Sequence, residues 1–405
     1  MYLRTKDKSL AYIFLAALLL RICVGVFYTR TFYPDEQGWL NMASALASGQ
    51  GFVSHLRAPG YIVFLAGIFK IFGVGNMAAV RLIQALIGSL QVVFIYFLTF
   101  KIFRRRLPAY IAAGLLAVYP YLVFYSSHAL SETLYSFLLT ISAFYIYRMA
   151  DEGHGLRSSV AAGILAAFAA LTKSTVLAVA PFIVLWFILN NVPAKKIFFF
   201  FLSGLAVMAP WTVRNYNKFG GLFPVTPSGS YLFQAYNKET MRLETETRQL
   251  KDVRWYTEEY LEIEKLPVLA ADKEYHRKAL AFIRSNPSTV LKLMRMRFSH
   301  FWRAYPATKS GFQKLSALVT SGPVLFLGLA GMLLSAGLWK KTMLLIALIF
   351  TFNAAHMVFL CTLRYRIPID PFFMIFAAFT VERLIVTMRE RWAKKERGIQ
   401  AIEDN

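Results

Sequence analysis

Acidic residues are scarce in this chain of 405 residues: 22 Asp and Glu face 45 Lys and Arg, and charged residues of both signs make up only 17%. Ordinary globular domains carry about 25%, so the deficit argues against a soluble enzyme and for a membrane protein. Cysteine is nearly absent. The two present, Cys23 and Cys361, lie within or at the end of apolar runs, which excludes a disulfide framework and a metal knuckle and leaves both a structural role. No P-loop or dinucleotide fingerprint occurs, and no fixed-period internal repeat is present. No small-residue cleavage site follows the first apolar run, so that run is expected to be retained as a first span.

What the chain has in abundance is hydrophobicity: 57% of its residues, including 36 Phe. A net charge of +23 would fit nucleic acid only on a basic face of a soluble fold. Here Lys and Arg fall in short clusters between apolar runs, the pattern that marks the cytoplasmic ends of membrane spans. Spans of about 20 residues are expected near 9–28, 77–102, 108–127, 130–148, 197–211, 318–338, 342–360 and 369–387. The stretch 158–190 is too long for one crossing and is split at Lys173. The short run 60–74 contains Lys70, and letting it cross would put Arg104, Arg105 and Arg106 outside. It is therefore assigned to an external loop of juxtamembrane helices. The expected fold is an all-α polytopic bundle of about ten transmembrane helices, with both termini cytoplasmic. Three parts are expected: a transmembrane catalytic module over 1–211, with a first external loop at 29–76; an extracytoplasmic region over 212–312; and C-terminal helices with a basic tail over 313–405. The end of the middle part, near 286–305, reads as an interfacial amphipathic helix.

With that topology the unusual polar residues gather on one face: Asp35, Glu36, His55, Arg57, His128, Glu132, Lys173, Arg214, Arg364 and Arg366. A charge at bilayer depth costs about 2.5 kcal/mol or more, so charges at short inter-span turns require a reason. Carboxylates can take a proton from an attacking hydroxyl, and Arg or Lys can hold a leaving phosphate. Plainer readings exist for each. Pro34, Asp35 and Glu36 are what any helix start prefers, Ser131-Glu132 could start a helix at a tight turn, and each cation alone could snorkel to headgroups. His128 and Glu132, four apart, could share a face as metal ligands. His55 and His356 read as hydrogen-bonded interface residues, and His154, His276 and His300 as solvated.

The segments PDEQGW, RAPGYIVFLAGIFKIFG, ALSETLYSFLL, ALTKSTVL, APWTVRNYNKFGGLFPVTPSG and LRYRIPIDP occur in an order that resembles bacterial membrane glycosyltransferases of the GT-C fold, the group of protein O-mannosyltransferases and the lipid A aminoarabinose transferase. The resemblance implies Asp35 as general base with Glu36 supporting and Glu132 at the second acidic position. It implies phosphate-binding cations at Arg57, Lys173, Arg364 and Arg366, to which the shared face adds His55 and Arg214. Leu56 stands where the aminoarabinose transferase has a metal-binding glutamate, which leaves metal use open, and Ala58 replaces the first proline of the usual pair. No counterpart of the large soluble C-terminal domain of oligosaccharyltransferases is expected, which argues against en bloc transfer onto sequons.

The implied activity is inverting transfer of a sugar from a polyprenyl-phosphate donor to an acceptor hydroxyl on a glycan, lipid or protein, at the outer face of the bacterial inner membrane. An activated donor needs no nucleotide cofactor, and no nucleic-acid partner is expected. Two competing functions are a transporter or flippase of lipid-linked or anionic solutes, and a ligase or polymerase of lipid-linked oligosaccharides. A transporter would place charges near the midplane between repeats, unlike the one-sided cluster expected here.

Overall fold

The computed structural model describes residues 8–27, 34–151, 155–246, 257–306 and 310–403; Arg4, Lys6 and His154 lie outside the described residues. Among those residues there are helices and turns but no strand. The first half runs α1 (Lys8–Phe27), α2 (Pro34–Ala47), α3 (Pro59–Phe72), α4 (Met77–Phe103), α5 (Arg106–Val118), α6 (Pro120–Ser126), α7 (Glu132–Met149), α8 (Leu156–Thr172), α9 (Ala180–Leu189) and α10 (Ala194–Phe219). A region of shorter helices follows: α11 (Gly229–Ala235), α12 (Lys238–Glu246), α13 (Glu258–Glu264), α14 (Val268–Ser285) and α15 (Pro287–Phe301). The chain then returns to the bundle with α16 (Gly311–Leu334), α17 (Trp339–Val358), the single turn α18 (Leu363–Arg366) and α19 (Asp370–Glu403).

The ten expected crossing segments all fall on helical chain, although 108–127 is divided between α5 and α6. Among the described residues six helical segments are long and apolar enough to cross a membrane, or seven if α5 and α6 count as one bent span. The protein is thus a multi-pass membrane protein. The chain breaks at Lys173, as the split of 158–190 required. α8 ends at Thr172, Lys173 is extended (φ −148°, ψ 121°), and a 3-10 turn over Ser174–Val179 leads into α9. Neither half reaches the roughly 20 residues of a straight crossing. α3 has 14 residues, also too few.

The break between α5 and α6 is a 52° bend. Pro120 has no N–H to donate back along the helix and disfavours helical backbone before it, so carbonyls near the bend lose their helical donors. Arg21, fully buried in α1, supplies them: Nη1 donates to Ala117 O at 3.0 Å and Nη2 to Leu116 O at 3.2 Å. A cation inside the first apolar run is thus part of the scaffold.

The core follows α19, whose Phe372, Phe373, Met374, Ile375 and Phe376 are all completely buried. α16 lies against it at Gly331, where an added Cβ would meet the Phe376 carbonyl oxygen at 2.1 Å. Only glycine permits that backbone approach. A second, smaller apolar cluster joins α11, α13, α14 and α15 through Phe233, Tyr260, Tyr275 and Leu293, and Leu360 from the α17–α18 connection enters it. Within this region Arg297 and Glu244 form a buried pair at 3.1 Å, and Arg297 also donates to Ala235 O and Val358 O. Burial pushes the Glu244 carboxyl up, against the pull of Arg297.

Candidate active site

The site begins with the first turn of α2. Neighbouring residues point about 100° apart on a helix, and Asp35 and Glu36 separate accordingly. Glu36 turns inward, 4% exposed, and its Oε1 accepts the backbone N–H of Ala129 at 2.6 Å. Asp35 turns to a cavity with its side chain 48% exposed. Glu36 therefore anchors α2 to the turn before α7, while Asp35 remains accessible.

That turn is held from a second direction. The Tyr61 hydroxyl of α3 donates to Gln84 of α4 at 3.0 Å, and the Gln84 amide donates to the carbonyls of His128 (2.6 Å) and Ser126 (3.3 Å). The result fixes where α7 begins, and so where Glu132 sits. Glu132 is wholly buried and binds two cations: Lys173 Nζ lies 3.0 Å from Oε1, and Arg364 Nε donates to the same oxygen at 2.6 Å. Arg364 also reaches Asp35, its Nη1 donating to Oδ2 at 2.5 Å. One guanidinium thus bridges the two carboxylates, with the forked geometry that Lys lacks.

Arg57, just before α3, completes the group. Its guanidinium stacks on Trp39 at 4.4 Å, with Nη2 3.7 Å from Asp35 Oδ1. Gly38 makes room: a Cβ there would stand 2.9 Å from Nη2. Burial lowers the Arg57 pKa, and the Asp35 charge opposes that shift. Three cations against the carboxylates Asp35 and Glu132 leave a formal charge of about +1 in this group, suited to an incoming anion.

The group opens into a cavity of about 650 Å³. Asp35, Arg57, Lys173 and Arg364 line it, together with Tyr231 and Gln234 of α11 and with His356 and Tyr365. The Tyr231 hydroxyl donates to the Leu56 carbonyl, tying α11 to the loop that carries Arg57. The remaining sequence candidates fall elsewhere. Glu36 and Glu132 stand behind the lining as supports. His55 is not in the lining; its Nε2 is 3.6 Å from Glu264 and its ring meets Phe219. Arg214 is also outside it, stacked over Trp211 at 4.6 Å and bonded to Asn215.

Arg366 differs most from expectation. It is fully buried, bonded to Asp370 at 2.9 Å, to the carbonyls of Phe301 and Arg303, and to Ser321. Two residues on a helical turn span about 200°, so Arg364 and Arg366 face opposite ways, and Arg366 ties α15 to the start of α19.

The spacing-based metal pair does not form a ligand set: His128 Nδ1 lies 3.0 Å from Phe124 O, and the Glu132 oxygens are held by Lys173 and Arg364. Among the described residues no three of His, Cys, Asp or Glu converge on a point that could hold a metal ion. The sequence reading missed Trp39, Tyr231, Gln234 and Tyr365 as lining residues. Trp39 sits in the PDEQGW segment and could have been noted. Tyr231 and Gln234 lie in a region without a readable motif.

Residues 56–213 match the family described as dolichyl-phosphate-mannose-protein mannosyltransferase, a stretch that includes Arg57, Glu132 and Lys173. None of the curated proteins matches the chain. Among solved structures it is similar to the oligosaccharyltransferase of Archaeoglobus fulgidus in the apo form, at 14% identity and a TM-score of 0.60, over 97% of this chain and 52% of that one. It is also similar to the archaeal oligosaccharyltransferase AglB from the same organism in complex with an inhibitory peptide and a dolichol-phosphate (15%, 0.58, 97% and 52%). ArnT from Cupriavidus metallidurans bound to undecaprenyl phosphate is similar at 14% identity and a TM-score of 0.41, over 92% and 78%. The fold is therefore the GT-C fold that the ordered motifs resemble. The chain spans about half the length of the archaeal oligosaccharyltransferase it matches.

Proposed function

We propose that the protein is an inverting glycosyltransferase that moves a sugar from a polyprenyl-phosphate donor to an acceptor hydroxyl. The observation that carries this reading is the convergence of Asp35, Arg57, Lys173 and Arg364 on one cavity. A carboxylate and three cations around one space suit a reaction that takes up a proton on one side and releases a phosphate on the other. The match of 56–213 to a mannosyltransferase family and the shared fold support the same class.

The reaction is a single displacement. The acceptor oxygen forms a bond to the anomeric carbon while its proton passes to Asp35. The bond from the anomeric carbon to the phosphate oxygen breaks, and the polyprenyl phosphate leaves with that electron pair. Arg57, Lys173 and Arg364 take up the added negative charge. Attack opposite the phosphate inverts the anomeric centre. Retention would need a second carboxylate as nucleophile, and Glu132, buried and held by two cations, is not placed for that. Arg364 and Arg57 both face Asp35. An arriving donor phosphate competes for these cations and loosens their hold on the base. Glu36 and Glu132 then act as positioning residues.

The outer face of the bacterial inner membrane, with both termini in the cytoplasm, is the location this reading implies. The helices over 212–312 then form the extracytoplasmic part that selects the acceptor. The test is transfer from defined polyprenyl-phosphate sugars by purified protein in detergent or liposomes. Asp35→Asn should reduce turnover by about 10²–10⁴-fold, the range for a general base, with donor binding retained. A variant of full activity would overturn the assignment.

A further inference from the structure

Two buried polar atoms in residues of the cavity wall have no hydrogen-bond partner among the described residues. Gln234, 2% exposed on α11, has an Nε2 without a hydrogen-bond partner among the described residues. Ser131, completely buried at the entrance to α7, has an Oγ in the same condition. Both residues line the cavity. A buried polar group left unpaired is costly, and native proteins leave few of them. Two at one cavity point to a ligand that completes them. The amide nitrogen offers donors only, whereas the serine hydroxyl can donate or accept. A ligand group that reaches them would therefore carry oxygen acceptors and at least one group able to pair with a hydroxyl.

The placement adds to this. The cationic lining is supplied by Arg57, Lys173 and Arg364, while α11 contributes the uncharged Tyr231 and Gln234. A phosphate draws first on the cations, leaving the uncharged donors to a neutral oxygen-bearing group beside it. A neutral polyhydroxyl ring attached to that phosphate fits both. We infer that Gln234 and Ser131 form the sugar-recognising face of the cavity, pairing with ring hydroxyls of the donor and setting which sugar is accepted. The inference rests on the reading of this cavity as a donor site.

The experiment separates the two levels. Binding of bare polyprenyl phosphate is measured beside polyprenyl phosphate carrying glucose, galactose, mannose or arabinose, on the full chain in nanodiscs. The wild type should bind the bare lipid and should bind at least one sugar-bearing form about tenfold or more tightly, since a site built to bond hydroxyls discriminates strongly. Gln234→Met, close in size but without donors, should cut that increment to about threefold or less and leave bare-lipid affinity unchanged. Ser131→Ala should reduce it partly. Arg57→Ala should instead weaken both forms together. If Gln234→Met fails to bind bare lipid, Gln234→Leu replaces it, uncharged, similar in size and likewise without the amide donors. An increment untouched by the Gln234 and Ser131 variants overturns the inference, because water alone then completes these groups. A wild type that binds bare lipid without any sugar increment overturns it too, and leaves the donor-site reading intact. A wild type that binds neither lipid removes both.

Discussion

Arg364 bonds two carboxylates that belong to different helices, Asp35 of α2 and Glu132 of α7. It is bonded to Glu132 through Nε and to Asp35 through Nη1, so it fixes the proposed base relative to the buried acid behind it. Removing one partner of a buried pair strands the other, at a cost of about 3–5 kcal/mol. Arg364→Ala leaves Glu132 its Lys173 partner at 3.0 Å, so it should lower thermal stability by less than that full cost, read by unfolding in detergent, and should abolish transfer. Arg364→Lys keeps the charge but cannot bond both carboxylates in the same fork, so it should recover more stability than activity. Arg57 offers a contrast. It is partly exposed and pairs with Asp35 only at 3.7 Å, a contact worth about 1 kcal/mol or less. Arg57→Ala should leave stability within about 1 kcal/mol of wild type and weaken donor binding more than acceptor binding. Equal loss for both substrates in a binding assay would take Arg57 away from the phosphate.

At the scale of elements, irregularities in the helices create the site. The break at Lys173 turns what hydropathy reads as one long apolar run into two short pieces and delivers an ammonium to Glu132. The bend at Pro120 lets α6 lead into the turn that carries Ala129 and Glu132. That bend depends on Arg21, which takes up carbonyls near the break. Arg21→Met would leave Leu116 O and Ala117 O without those side-chain donors, each at about 1–3 kcal/mol. Yield and melting temperature should fall clearly, while the folded fraction keeps its affinity for polyprenyl phosphate. Normal stability in this variant would show that the bend is held by other means. The tie through Glu36 acts in the same way, coupling the start of α2 to the start of α7 across 93 positions of sequence.

For the molecule as a whole, the charge pattern and the helix lengths describe a bundle with one cavity-bearing end and one basic end. The basic end is tied together by pairs such as Lys101 with Asp151 and Arg105 with Glu382. On the proposed reading, and by the positive-inside rule, that end faces the cytoplasm. A cysteine introduced at Ser54, which lines the cavity, should be labelled by an impermeant thiol reagent in intact cells. One introduced at Arg105 should react only after permeabilisation. The opposite pattern would invert the topology and move the site to the other face.

Composition and spacing alone carried the class of this protein. Apolar runs and basic clusters select a helical membrane bundle, because a bilayer core admits only structures that satisfy their own backbone. The helix start at Pro34, the break at Lys173 and the short α3 were legible for similar local reasons of charge, length and proline chemistry. The partners of those residues were not legible. Arg364 and Arg366 look equivalent two positions apart, yet one lies at the cavity and the other is sealed against Asp370. Asp35 and Glu36 are equally alike on paper, and only packing turned Glu36 inward. Tyr231 and Gln234 belong to a region without a pattern, and they line the cavity because α11 folds back toward the loop that carries Leu56 and Arg57. Periodicity reports which residues share a helix face, whereas a site joins faces of several helices, and their rotation about their axes is set by contacts between segments far apart in the chain.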